Sequence, residues 1–146
     1  MPVINSNYAL IGNTLILSNW KNEFNTIAFD KIEFLRVLDE RTITINKILI
    51  HDGKVFPDAD VESFVVLRRD YFKDKNSAYY DGQLIGNARA SSFEVLSDDY
   101  SRDSENVFFK TNQLSGVVAK DFKYDYPTNL GTDGRNTFRD GKLITR

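Results

Sequence analysis

The stretch Tyr71 to Leu96 recurs on both sides of itself at a spacing of about 29 residues, and no other feature limits the fold as strongly. Phe64 maps to Phe93 and on to Phe122; Tyr71 maps to Tyr100, Asp74 to Asp103, and Tyr79-Tyr80 to Phe108-Phe109. Backwards, Asp52-Gly53 maps to Asp81-Gly82, and Val55-Phe56 to Leu84-Ile85. One extra residue near Tyr126-Pro127 shifts the last copy, so that Asp74 matches Asp133 and Asp81-Gly82 matches Asp140-Gly141. Degenerate copies at a fixed period are the mark of a repeat array, and a unit this short cannot bury an aromatic face without neighbours. The frame divides one domain, 1–146, into a degenerate first part with an opening hairpin (1–41), repeats at 42–70, 71–99 and 100–130, and a partial terminal repeat at 131–146.

Within each copy the residues predict short strands joined by tight turns. Gly12-Asn13 lies between two apolar runs, the pattern of a hairpin, and Thr42 to Asn46 alternates polar and apolar like a half-buried strand. Asp52-Gly53 separates Lys47–His51 from Lys54–Phe56, and Asp-Gly suits a type I′ turn because both positions need positive φ. Asp74 to Ser77 is a turn between Tyr71–Lys73 and Ala78–Tyr80, with Asp81-Gly82 reversing the chain into Gln83–Ile85. Lys110-Thr111 replaces that Asp-Gly in the next copy and predicts a looser hairpin. A single capped helical turn before Phe64, Phe93 and Phe122 would tip each ring inward. Asp30 to Leu38 is open between a helical turn capped by Asp30 and an extended run. The fold class is therefore mainly β: stacked hairpin repeats with one or more short helical turns.

Composition excludes more than it suggests. At 146 residues the chain can bury a core without staples, and with no cysteine it has neither disulfides nor thiolate metal sites. The opening residues have no basic run followed by an apolar core, and no stretch has the length of a membrane span, so the expectation is a cytoplasmic protein with no membrane contact. A formal net charge of -2 without a basic stripe argues against nucleic acid as a partner.

The chemistry-bearing residues each have a plainer reading beside the functional one. His51, the one histidine, is the first candidate general base, yet its column holds Tyr80 and Phe109, which points to a packed ring. The pairs Asp58 and Asp60, Asp98 and Asp99, and Asp103 and Glu105 lack the spacing of a calcium loop and read as solvated turns. Asp74, Asp103 and Asp133 recur as a turn-opening aspartate would. Tyrosines and arginines together suggest a stacking surface for a sugar or nucleic acid, against which stands the plainer reading of a core or a protein interface. No phosphate loop, nucleophile elbow or zinc pair is present in the sequence, so we expect no enzyme activity, no cofactor and no metal.

Asp74-Lys-Asn-Ser-Ala-Tyr-Tyr80, preceded by Tyr71 and followed by Asp81-Gly82 and Phe93, resembles the motif of the DKNYY family of bacterial repeat proteins. Partial versions stand at Asp103–Phe109 and Asp133–Phe138, and the motif is lost before Arg41. The resemblance implies a bacterial source and a β-rich repeat, and it brings no catalytic residues with it. The functional expectation is a non-catalytic protein-binding module, an immunity protein that neutralises a toxin by direct binding, with a basic nuclease as the favoured toxin. Its contact residues would be the densest acidic patch, Asp98, Asp99, Asp103 and Glu105. The alternative is a carbohydrate- or envelope-binding module that uses tyrosines as platforms.

Overall fold

The computed structural model describes residues 4, 7–18, 21–56 and 58–145. Pro57, at the head of the turn expected before Phe64, lies outside them, as do most of the first six residues. The chain is nearly all β, in five small antiparallel sheets, and it divides into two compact units, Met1–Val61 and Glu62–Arg146.

The first unit holds a three-stranded sheet, β1 (Tyr8–Ile11), β2 (Thr14–Ser18) and β3 (Phe24–Ala28). A four-stranded sheet follows, β4 (Leu35–Val37), β5 (Thr42–Ile45), β6 (Ile48–His51) and β7 (Lys54–Phe56). Gly12-Asn13 closes the first hairpin as expected, with Ile11 opposite Thr14. Tyr8, Leu15, Leu17, Ile43, Ile45 and Ile50 form its buried core. The segment after Asp30 takes the extended alternative, with Leu35 opposite Ile45. Asn46 accounts for this. Its side-chain oxygen accepts from Glu33 N at 2.8 Å, and its amide donates to Lys31 O at 2.9 Å. Those are backbone groups a helical turn would have used for itself.

The second unit holds three sheets of four strands. They are β8 (Val65–Arg68), β9 (Tyr71–Lys73), β10 (Ala78–Tyr80) and β11 (Gln83–Leu84); β12 (Glu94–Val95), β13 (Tyr100–Arg102), β14 (Val107–Phe109) and β15 (Asn112–Gln113); and β16 (Lys123–Asp125), β17 (Leu130–Thr132), β18 (Thr137–Arg139) and β19 (Lys142–Thr145). Each sheet has one strand more than the three read from each repeat. The residues that lead into a copy pair with its tyrosine strand, as Glu94 does with Arg102. The Asp-Gly turns have the expected positive φ at both positions, 49° and 75° at Asp52-Gly53 and 47° and 79° at Asp81-Gly82. Lys110-Thr111 is not looser in its pairing: Phe109 still lies opposite Asn112, as Tyr80 does opposite Gln83.

Turns of 3-10 helix stand at Ala90–Ser92 and Ala119–Asp121, where the sequence placed them, and residues 61–63 form a turn without helix. Neither helical turn is capped by its own side chain, because the capping positions are Arg89 and Val118. The turns deliver the recurring phenylalanines as wedges between successive sheets. Phe93 lies 6.2 Å from Tyr71 in one sheet and 6.4 Å from Phe108 in the next. Phe122 lies 5.6 Å from Tyr100 and 6.4 Å from Phe138. Full burial of such a side chain stabilises by about 1.5–3 kcal/mol, with a further contribution from ring geometry.

A recurring hydrogen bond identifies the copies independently of sequence. The backbone carbonyls of Asn7, Arg41, Asp70 and Asp99 accept from Ser18, Asp52, Asp81 and Lys110 N respectively. Tyr8 therefore occupies the column of Thr42, Tyr71 and Tyr100, and the first sheet belongs to the repeat.

Candidate functional site

The recurring aspartates are the most demanding polar residues in the second unit, since all three are buried. Asp103 Oδ1 accepts from Glu105 N at 2.8 Å and Asn106 N at 2.7 Å, the turn bonding that the sequence suggests. Its Oδ2 does something further: it accepts from Arg89 N at 2.8 Å, the N-cap of the preceding copy's helical turn. Asp133 repeats the arrangement with Arg135 N, Asn136 N and, at 2.9 Å, Val118 N. These amide donors hold the Asp133 carboxyl below its ordinary value. Asp74 makes the same turn and uses Oδ2 to accept the Tyr79 hydroxyl at 2.9 Å. At Asp103 and Asp133 the column is a tie between copies, and in all three aspartates the carboxylate oxygens are committed to the fold. In the first unit isoleucines stand in this column, Ile11 and Ile45, and the strands zip to two-residue turns instead.

His51 is buried in the column where later copies have rings. It lies opposite Thr42, with Nδ1 2.8 Å from Thr42 Oγ1 and its ring 5.9 Å from Phe56. The equivalent pairs Tyr71 with Tyr80 and Tyr100 with Phe109 pack edge to face at 4.9 and 5.0 Å. Beside His51, Asp52 is held by Arg41, whose Nε donates to Oδ1 at 2.8 Å, and this bond lowers the carboxyl below its ordinary value. A recess of about 190 Å³ lies along Leu17, Glu23, Asn25, Asp52, Gly53 and Lys54. Among the described residues no three histidine or carboxylate side chains gather as metal ligands would, and no helix is long and apolar enough to cross a membrane.

The acidic patch is not gathered in one place. Asp98 and Asp99 precede β13, whereas Asp103 and Glu105 follow it, about 10 Å along the strand. Asp98 lies 3.2 Å from Arg68 and 3.1 Å from Arg69. Asp99 accepts the Tyr80 hydroxyl at 3.2 Å, and burial with that acid beside it pushes the phenol up to about 12. Glu105 pairs with Arg89 at 3.0 Å. Asp103 is 3 % exposed and offers a partner nothing. Each of the three outward acids thus has a local donor, which reduces the negative field a basic partner would meet.

Two features of the fold were not evident in the sequence. One is a basic column, Lys73 and Arg102, whose side chains donate to the carbonyls of the helical turns: Lys73 Nζ to Ala90 O at 3.2 Å, and Arg102 to Ala119 O at 3.1 Å and Phe122 O at 2.7 Å. The signal was the recurrence of a cation at that offset. The other is exposed aromatic surface. Phe24 in β3 is 71 % exposed and Phe34, just before β4, is 70 % exposed, with Leu35 and Val37 open beside it. Of the seven tyrosines only Tyr126 is exposed, its ring 5.1 Å from Tyr124, which in turn lies 5.5 Å from buried Tyr100.

Short antiparallel sheets repeated along the chain, wedged by phenylalanines and tied by aspartates, define a β-repeat protein. The chain belongs to the DKNYY family, whose model matches residues 4–112 and again residues 45–146. An array of like units accepts the model in more than one register. The match reaches well before Arg41, further than the motif itself can be followed, in agreement with the place of Tyr8 in the repeat. No curated protein and no solved structure matches the chain.

Proposed function

We propose that this protein is a non-catalytic protein-binding module, and specifically an immunity protein that neutralises a bacterial toxin by occluding it. The observation that carries the reading is the pair of outward phenylalanines in the first unit, Phe24 and Phe34, on or beside edge strands. Large rings left in water are the anchors that partner surfaces use, and a few of them supply most of an interface's binding energy. The recurring aspartates and His51 support the same reading, since their hydrogen bonds serve the fold. A basic nuclease is the partner class in this reading, with Asp98, Asp99 and Glu105 as rim contacts that would exchange their local donors for the partner's cations. The acting compartment in this reading is the cytoplasm. The test is survival of cells that express an adjacent toxin gene, with and without this protein. Survival that needs the protein and is lost in Phe24→Asp with Phe34→Asp supports the reading, and protection by neither form removes it.

A second reading rests on Tyr126, which is 60 % exposed and heads a ladder of rings running inward through Tyr124 to Tyr100. Such a platform suits a sugar ring and would make the protein a carbohydrate- or envelope-binding module. Tyrosine fluorescence quenched by cell-wall oligosaccharide, and unquenched in Tyr126→Ala, separates it from the first.

A further inference from the structure

Four aspartates in the chain precede glycine: Asp52, Asp81, Asp133 and Asp140. At such a pair the glycine amide nitrogen can attack the aspartate side-chain carbonyl carbon. The carboxyl oxygen leaves as water and a five-membered succinimide closes. Water then reopens the ring at either carbonyl, giving aspartate or isoaspartate, the latter with one more carbon in the main chain. The reaction needs the glycine nitrogen free to turn inward and give up its proton, and it consumes no oxidant or second reactant.

The structure treats the four pairs differently. Gly53 N donates to the Tyr8 hydroxyl at 3.4 Å, and the Asp52 carboxylate is clamped by Arg41. Gly134 N donates to Thr132 Oγ1 at 3.0 Å, while the Asp133 carboxylate holds three amides. Gly141 N donates to the Tyr100 hydroxyl at 3.0 Å. Among the described residues nothing accepts from Gly82 N, and Asp81 is exposed with no ion pair. The φ angles of this turn match those at Asp52 and Asp140, with 47°, 49° and 49° at the three aspartates and 79°, 75° and 76° at the glycines that follow. We infer that Asp81 is the chain's site of spontaneous isoaspartate formation, and that buried tyrosine hydroxyls protect two of its repeat equivalents by occupying the glycine N–H.

The modification has a structural consequence. An added main-chain carbon between Tyr80 and Gln83 lengthens a two-residue turn whose flanking residues are directly paired, so β11 loses register with β10. An isoaspartyl residue there is also a substrate for a carboxyl methyltransferase that uses a sulfonium methyl donor, which provides a specific label.

The experiment is incubation of the whole protein at neutral pH and body temperature, followed by peptide mapping by mass spectrometry with methyl labelling of isoaspartate. A parallel sample is incubated in concentrated urea. In the native protein isoaspartate is expected at Asp81 ahead of each other pair by about tenfold, the factor that 1.4 kcal/mol represents, whereas in urea the four converge. Tyr100→Phe is expected to raise the rate at Asp140 severalfold while leaving Asp81 unchanged, with circular dichroism confirming the fold. Equal native rates at the four pairs overturn the inference. So does the same ranking in urea, which would assign the order to sequence alone.

Discussion

Asp103→Asn separates the two tasks of the aspartate column. The amide keeps an oxygen where Oδ1 accepts from Glu105 N and Asn106 N, and it places a second donor against Arg89 N in place of Oδ2. The turn survives and the tie to the preceding copy is lost. A hydrogen bond to a buried charged acceptor contributes about 1.5–3 kcal/mol, and that is the expected loss. Asp103→Ala removes all three bonds at a site 3 % exposed. Glu105 is exposed and its amide regains water, so the loss stays below three times the single value, at about 3–4 kcal/mol. Urea unfolding followed by far-ultraviolet circular dichroism measures both as a lower midpoint with the slope unchanged. Glu105→Gln, which breaks only the exposed pair with Arg89, serves as the control and stays within about 0.5 kcal/mol of the parent. If Asp103→Asn is as silent as that control, the carboxylate does not tie the copies together and the stacking argument fails with it.

Further expectations follow from the same packing. Phe93→Ala deletes a wedge that is 4 % exposed and is expected to cost about 3–5 kcal/mol by the same unfolding assay; a midpoint that barely moves would mean the ring is not in a core. Gly131→Ala drives a methyl into the buried Phe122 ring, with an expected loss of about 1–3 kcal/mol, and a neutral result would show that ring free to yield. The carboxyls of Asp133 and Asp52 are lower in the folded chain than their ordinary value of 3.8. Their contribution is therefore complete above that value and disappears as pH falls through the lower folded one. Thermal melts against pH should drop below about pH 4, and Asp133→Asn should flatten the drop.

The second unit was legible because its turns and rings recur at one spacing, so that a single offset exposes the column of Tyr71 and Tyr100 and the column of Phe93 and Phe122. The first unit hid its copy for a definite reason. From Thr42 to Tyr71 and from Tyr71 to Tyr100 the step is 29 residues, but from Tyr8 to Thr42 it is 34, and Ile11 replaces the aspartate that marks the turn. The backbone bond from Ser18 N to Asn7 O preserves the copy where side chains do not. Tertiary bonding was not readable at all: no spacing shows that Asp103 reaches back to Arg89, or that Arg102 receives the next helical turn. The same limit applies to the acids chosen as contacts, since adjacency in sequence concealed both the burial of Asp103 and the arginines that face Asp98 and Glu105. Nothing in the sequence marks Phe24 and Phe34 as outward rings, and only the fold leaves them in water.

The proposal of a toxin-binding role is tested most directly by capture from the native cell with the intact protein and with the doubly substituted Phe24→Asp, Phe34→Asp form, quantified by mass spectrometry. The account predicts one stoichiometric protein, toxic when expressed alone and silenced by the intact chain, that the substituted form fails to hold. Retention of the same material by both forms, or of cell-wall polysaccharide in place of a protein, contradicts it.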